Sequence, residues 1–213
     1  MQRQIDLFIF DLDGTLIDSK EDIAASVNHT LKAIGLRSIP DELIYQYVGT
    51  GVTPLIKRSM EAAGEGRFKE ALAIFLKHYD EHLLDRTVFF PGVQKILKHF
   101  SQKKKVVLTN KPQGFSEKIL KGLKADHFFE EILGGDTRFP KKPDPEAVRY
   151  LLEKFRADPS KAVMIGDSRV DRETGQNAGI LTCGVTYGFR PREELEGSDC
   201  LITQPDELLN YFE

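Results

Sequence analysis

The sequence predicts an α/β protein, a doubly wound parallel sheet with an α-helical cap domain inserted after its first strand. Short apolar runs that end in polar residues alternate with segments of helical period along most of the 213 residues. The runs lack the alternation of half-exposed strands, which is typical of parallel strands covered by helices on both faces. Strand–helix alternation of this kind indicates a doubly wound sheet. One stretch, from Ile17 to Asp85, has only helical pattern and predicts the cap.

Six apolar runs are the predicted strands, and the segments between them carry helix signals. Asp144 is the predicted N-cap of one helix and Pro145 its first residue. Pro91 and Gly92 precede another helical stripe. The predicted strands are Ile5–Phe10, Val106–Leu108, Ile132–Leu133, Ala162–Ile165, Leu181–Val185 and, with a weaker pattern, Cys200–Ile202.

The cap region contains three predicted helices and no predicted strand. Ser19 and Asp22 match the Ser/Thr-x-x-Asp/Glu capping box of a first helix, which Gly35 ends. A second helix begins at Thr53, and apolar residues at about 71–78 predict a third. We therefore expect a core domain formed by residues 1–16 and 86–213 and a cap domain formed by residues 17–85.

Composition and charge restrict the partners. The chain has 30 Lys and Arg against 33 Asp and Glu, a formal net charge of −3, so we do not expect it to bind nucleic acid. No apolar run approaches the roughly 18 residues of a membrane span, and the first run ends at Asp11, too early for a secretory signal. Cys183 and Cys200 have no metal or redox spacing. We therefore expect free thiols in a cytoplasmic protein without a membrane partner.

Polar residues follow the predicted strands at the edge where parallel sheets bind their ligands. Carboxylates crowded at one edge repel one another unless a cation lies among them. Because all candidate ligands are oxygens, Mg²⁺ is favoured over zinc, and a lysine with hydroxyl donors suits a phosphate group. The residues are Asp11, Asp13, Gly14 and Thr15 after the first run, Thr109, Asn110 and Lys111 after the second, Asp136, Lys141 and Lys142 after the third, and Gly166, Asp167, Ser168 and Asp171 after the fourth.

Four ordered motifs carry a resemblance to a known family. They are Asp-Leu-Asp-Gly-Thr at 11–15, Thr-Asn at 109–110, Lys-Pro-Asp-Pro at 142–145 and Gly-Asp-Ser-x-x-Asp at 166–171. With these motifs the chain resembles the hydrolases of the haloacid dehalogenase superfamily. The continuation of the first motif to Asp18 and Ser19, together with Val-Gly-Thr-Gly at 48–51, further resembles phosphoglycolate phosphatases. The resemblance implies a Rossmann-like core with an α-helical cap and a Mg²⁺-dependent phosphatase that uses an aspartate nucleophile.

The resemblance also implies a role for each motif residue. Asp11 is the expected nucleophile, which attacks phosphorus to form an aspartyl-phosphate. Asp13, two residues along the strand and on the same side, is expected to protonate the leaving group and then to activate water. The expected Mg²⁺ ligands are the Asp11 side chain, the Asp13 backbone carbonyl and Asp167, with Asp171 beside them, and the expected phosphate ligands are Thr109, Asn110 and Lys142.

Several functions stay open at this level. The expected substrate is a small phosphorylated metabolite such as 2-phosphoglycolate, but a nucleotide phosphatase, an inorganic pyrophosphatase or a phosphosugar mutase of the same superfamily fits the same motifs. A receiver-type signalling domain also combines carboxylates, Mg²⁺ and a lysine, but it has no large cap after its first strand. A non-catalytic binding protein on this fold is disfavoured because Asp11, Asp13, Lys142 and Asp167 are all present.

The cap offers two candidate ligands for a substrate carboxylate. Lys57 and Arg58 lie on the second predicted cap helix and are the nearest basic residues in sequence to the Val-Gly-Thr-Gly loop. The alternative interpretation is that both are solvated helix charges. We expect the chain to be a monomer or a homodimer.

Overall fold

The computed structural model describes residues 2–64 and 66–213 and contains one large and one small β-sheet. The strands, numbered along the chain, are β1 (Leu7–Phe10), β2 (Ile17–Asp18), β3 (Val88–Phe89), β4 (Lys104–Leu108), β5 (Glu131–Leu133), β6 (Ala162–Gly166), β7 (Leu181–Val185) and β8 (Cys200–Ile202). The large sheet has six parallel strands in the order β5-β4-β1-β6-β7-β8. Strand β1 therefore lies at the centre, between β4 and β6.

Helices connect the strands of the large sheet and also form the inserted block. In chain order they are α1 (Lys20–Ala33), α2 (Asp41–Tyr45), α3 (Val52–Ala63), α4 (Phe68–Glu81), α5 (Val93–His99), α6 (Gln113–Gly122), α7 (Glu146–Phe155), α8 (Arg169–Ala178) and α9 (Leu208–Tyr211). None of the described helices is long and apolar enough to cross a membrane.

Both faces of the central strand β1 are buried. Phe8 and Phe10 belong to one apolar core, while Leu7 and Ile9 belong to a second core on the opposite face. A strand with two buried faces has no polar side to alternate with its apolar side. This explains the continuous apolar runs in the sequence and confirms the predicted doubly wound parallel sheet.

The helical block predicted after the first strand is formed by α1 to α4, and α1 packs against each of the other three. The expectation that residues 17–85 contain no strand is wrong, because β2 pairs antiparallel with β3, Ile17 opposite Phe89. A strand of two residues is too short to produce a periodic pattern. Helix α2 was not predicted either. The domain boundaries at residues 16/17 and 85/86 stay a prediction.

One predicted cap and two predicted helix starts differ from the structure. The capping box of Ser19 and Asp22 does not form: Ser19 precedes α1 without a side-chain cap, and both side chains bind other residues instead. Helix α7 begins at Glu146, one residue after the predicted Pro145, and helix α3 begins at Val52 instead of Thr53. A capping box does form at α8, where it involves two residues of the fourth motif, Ser168 and Asp171.

The two cysteines are free thiols, as predicted. Cys183 and Cys200 are register partners on the adjacent strands β7 and β8, and both are buried. Neither belongs to the group formed by Asp11, Asp167 and Asp171, and both pack in the apolar core.

Candidate active site

The carboxyl ends of β1, β4 and β6 bring most of the predicted site residues together. These residues are buried although they are polar or charged, which is unusual for Asp and Lys unless they are paired. They are Asp11 and Asp13 after β1, Thr109, Asn110 and Lys111 after β4, Lys142 in the loop before α7, and Asp167, Ser168 and Asp171 at the end of β6 and the start of α8.

Three carboxylates and one lysine form the centre of the site. Asp11, Asp167 and Asp171 each offer a carboxylate oxygen, and these oxygens lie within 4.8 Å of one another. The Lys142 ammonium lies 2.9 Å from Asp11 Oδ1 and donates a hydrogen bond of 2.5 Å to Asp171 Oδ1. The Lys142 side chain is only 2% exposed. One buried cation therefore contacts two of the three buried carboxylates, and Asp167 lies beside them.

This excess of negative charge changes the acidity of the cluster. Burial, with repulsion from Asp171, raises the pKa of Asp11 from 3.8 to about 6, although the Lys142 ammonium opposes the rise. Burial raises the pKa of Asp167 well above its usual range, and the charges of Asp171 and Asp11 raise it further. Because one lysine does not balance three carboxylates, an additional cation would stabilise the ionised cluster.

Glycines allow the backbone to pass close to Asp167. A Cβ atom on Gly14 would lie 2.3 Å from Asp167 Oδ2, and Gly14 has a φ of +81°, where other residues are strained. A Cβ atom on Gly188 would lie 2.3 Å from the Asp167 Cβ atom. The Phe189 amide donates to Asp167 Oδ2 at 2.7 Å. The glycine of the first motif is therefore required by the space that Asp167 occupies.

Asp171 has two partners, one on each carboxylate oxygen. Its Oδ2 accepts hydrogen bonds from the Ser168 amide at 3.1 Å and from the Ser168 hydroxyl at 2.6 Å, which completes the capping box of α8. Its Oδ1 accepts the hydrogen bond from Lys142. Asp171 thus anchors Lys142 to the start of a helix.

Asp13 is held by partners from both the core and the inserted block. Ser19 Oγ donates to Asp13 Oδ1 at 2.5 Å, and the Lys111 ammonium lies 3.0 and 3.1 Å from the two carboxylate oxygens. Lys111 also donates to the hydroxyl of Tyr79 on α4 at 2.6 Å. The sequence placed Lys111 after a strand but gave it no role. Tyr79 carried no sequence signal, because a contact across 32 residues depends on the fold.

Thr109 and Asn110 lie beside this cluster, where their predicted phosphate contacts stay a prediction. Thr109 Oγ1 accepts a hydrogen bond from the Lys111 amide at 3.2 Å. The Asn110 amide group donates to the carbonyls of Gly49 and Lys142, each at 3.1 Å. Asn110 therefore connects the Val-Gly-Thr-Gly loop to the loop that carries Lys142.

A cavity of ≈ 40 Å³ opens above Asp11 and Asp13, between the core and the inserted block. Neither Lys57 nor Arg58 lines it. The Lys57 ammonium lies 5.5 Å from the ring centroid of Phe68, and the Arg58 guanidinium lies 5.1 Å from that of Tyr47. Arg58 lines a separate, wider cleft. The two cap residues proposed for a substrate carboxylate are thus not brought to the carboxylate cluster.

Comparison with known proteins identifies the family. The profile of the haloacid dehalogenase-like hydrolases matches residues 8–185, which contain all four motifs. The chain belongs to this family. The family resemblance predicted from the motifs is therefore confirmed.

Two similar proteins and one similar crystal structure carry the name phosphoglycolate phosphatase. The phosphoglycolate phosphatase of Colwellia psychrerythraea is 36% identical over 202 residues, 91% of this chain and 89% of that protein. The phosphoglycolate phosphatase of Aquifex aeolicus is 34% identical over 210 residues, 97% of this chain and 96% of that protein. A crystal structure described as a predicted phosphoglycolate phosphatase from Haemophilus somnus superposes with a TM-score of 0.93 at 30% identity and covers 99% of both chains.

Proposed function

We propose that this protein is a Mg²⁺-dependent phosphatase that hydrolyses 2-phosphoglycolate through an aspartyl-phosphate. The observation that carries the proposal is the buried cluster in which Lys142 contacts Asp11 and Asp171 while Asp167 lies beside them. The family and the names of the similar proteins support a phosphatase and the choice of substrate.

The donor set fits Mg²⁺. Carboxylate oxygens are the ligands that this ion prefers. Burial, together with repulsion between the carboxylates, raises the pKa values of Asp11 and Asp167, and a divalent cation would stabilise the ionised forms. Asp11 and Asp167 would hold the ion together with the backbone carbonyl of Asp13, and Asp171 would keep Lys142 in place beside them. When bound, Mg²⁺ supplies charge neutralisation for the phosphoryl group.

The residues of the chain divide the reaction into two steps. Asp11 attacks phosphorus, and the bond between phosphorus and the ester oxygen breaks as the aspartyl-phosphate forms. Asp13 gives its proton to the leaving oxygen in this step. In the next step Asp13 takes a proton from the water that attacks phosphorus, and the bond between phosphorus and the Asp11 oxygen breaks, which releases phosphate and restores the Asp11 carboxylate. Lys142 faces the phosphoryl oxygens with a fixed positive charge, so the site acts mainly by positioning and charge neutralisation.

The substrate assignment rests on the names of the similar proteins, and the cavity above Asp11 and Asp13 is the space that would receive the substrate. We propose further that residues 17–85 form the cap domain and that residues 1–16 and 86–213 form the core.

Steady-state phosphate release from a panel of substrates tests this function. The panel contains 2-phosphoglycolate, a nucleoside monophosphate, pyrophosphate and a hexose phosphate, each with Mg²⁺. We expect the highest kcat/KM for 2-phosphoglycolate and a loss of turnover by orders of magnitude in Asp11→Asn. The matched control is Asp136→Asn, because Asp136 is an exposed carboxylate that only accepts a bond from the Gln113 amide. No phosphate release from any compound would contradict the proposal, and a different highest-ranking substrate would reassign it.

A further inference from the structure

The cavity between the core and the inserted block has one basic side chain among the described residues that line it. Its walls are mostly apolar, with Val52, Leu55 and Phe75 from the block and Phe115 from α6. Among the described residues that line the cavity, Lys111 is the only lysine or arginine. A charged group that lines an apolar cavity this small is positioned to select what enters it.

Asp13 is the one anionic group among the contacts of the Lys111 ammonium given by the described residues. The Lys111 side chain is 4% exposed, and the ammonium contacts the carboxylate of Asp13 and the hydroxyl of Tyr79. A buried ammonium is stable only with a close anionic partner.

The proposed reaction takes this anion away from Lys111. Asp13 must carry a proton before it can donate one to the leaving oxygen, and a protonated Asp13 is no longer an anion. Until the proton is transferred, Lys111 has only neutral partners, the protonated Asp13 and the hydroxyl of Tyr79, and neutral groups do not compensate a buried charge. A second anion close to the leaving oxygen would restore the pairing.

We infer that Lys111 binds the carboxylate of the substrate, which replaces Asp13 as the anionic partner of the buried ammonium. The inference rests on the proposed function and extends it to a substrate class, short phosphorylated carboxylic acids with the carboxylate one or two carbons from the ester oxygen. Tyr79 is the positioning residue that holds the ammonium at the cavity. Lys111 therefore takes the role that the sequence suggested for Lys57 and Arg58.

A pair of esters that differ only in the carboxylate tests this inference. 2-Phosphoglycolate and ethyl phosphate have the same two-carbon skeleton, and the ratio of their kcat/KM values reports recognition of the carboxylate. We expect Lys111→Met to lower this ratio about tenfold to hundredfold, the range typical of a lost hydrogen bond to a charged group. The matched control is Lys118→Met, since Lys118 contacts Asp80 on the same helix as Tyr79 but lies outside the cavity. We expect the control to keep the wild-type ratio.

The outcomes separate recognition from a structural role. An equal loss with both esters would overturn the inference, because a lysine that only positions Asp13 affects every substrate alike. If Lys111→Met has no measurable turnover, calorimetric binding of phosphonoacetate and ethylphosphonate to the Mg²⁺-loaded protein decides. Wild type should prefer phosphonoacetate and Lys111→Met should not, and a preference that survives in the variant would overturn the inference. A wild-type enzyme that hydrolyses neither ester but prefers phosphonoacetate contradicts the proposed function alone.

Discussion

Replacement of the proposed nucleophile should stabilise the metal-free protein. A pKa of Asp11 that is raised from 3.8 to about 6 corresponds to about 3 kcal/mol that disfavours the folded state with Asp11 ionised, since each tenfold change is about 1.4 kcal/mol. The penalty is absent below the unfolded pKa, grows as the pH rises towards 6 and is almost fully present at pH 7. Asp11→Asn has no such charge, while Lys142 keeps Asp171 as its partner.

The assay is thermal unfolding in EDTA at several pH values. At pH 7 we expect Asp11→Asn to melt roughly 6–12 °C above wild type, because about 1 kcal/mol shifts the melting temperature of a chain of this size by about 2–4 °C. At pH 5 the gap should fall to about half, and near pH 4 it should fall to about a fifth. Added Mg²⁺ should stabilise wild type more than the variant and narrow the gap at pH 7.

A matched control and a refuting result complete this experiment. Asp136→Asn removes an exposed carboxylate outside the cluster and should leave the melting temperature within about 1–2 °C of wild type at each pH. An Asp11→Asn protein that is less stable than wild type in EDTA at pH 7 would refute the reasoning. It would mean that the contact with Lys142 outweighs the cost of burying the third carboxylate.

Three further predictions concern turnover. Asp13→Asn should lower kcat by about 10²–10⁴-fold, because acid–base assistance contributes that much, and phosphate release measures it; wild-type kcat would remove this role. Excess EDTA should abolish phosphate release, and added Mg²⁺ should restore it. Ca²⁺ should restore little activity, because its longer bonds disturb the arrangement of the ligands around the phosphoryl group. Phosphate release after complete metal removal would show that the reaction does not need Mg²⁺. Asp167→Asn should raise the Mg²⁺ concentration for half-maximal activity, and an unchanged titration curve would remove Asp167 from the ligand set.

The sheet and the carboxylate cluster follow from local sequence features. Strands buried on both faces appear as uninterrupted apolar runs, and the polar residues directly after them lie at the sheet edge by topology alone. For this reason Asp11 and Asp167 could be predicted from the sequence, while Lys142, which does not directly follow a strand, is predicted from its Lys-Pro-Asp-Pro motif. The contact between Lys142 and Asp171 could not be predicted from the sequence. The two residues lie 29 positions apart and come together only in the folded sheet, in which β6 pairs with β1.

The features that could not be predicted from the sequence are either very short strands or contacts between residues far apart in the chain. The pairing of β2 with β3 involves two residues in each strand, which is below the length at which periodicity is visible. The contact of Lys111 with Tyr79 joins the core to the inserted block. An apolar helix face predicts burial for Tyr79 at best, and its hydroxyl partner depends on how α4 docks.

The failed capping box at α1 shows how the site overrides a local rule. Ser19 and Asp22 have the spacing of an N-terminal cap, yet Ser19 donates to Asp13, and Asp22 accepts bonds from the amides of Arg86 and Thr87. Loss of a cap costs about 1 kcal/mol, a cost that these tertiary contacts offset. The two residues thus connect the first helix of the inserted block to Asp13, the proposed proton donor, on one side and to the chain that returns to the sheet on the other. Side chains depart from local sequence rules most often where they take part in a functional site. Here the missing cap of α1 lies where the inserted block connects to the core.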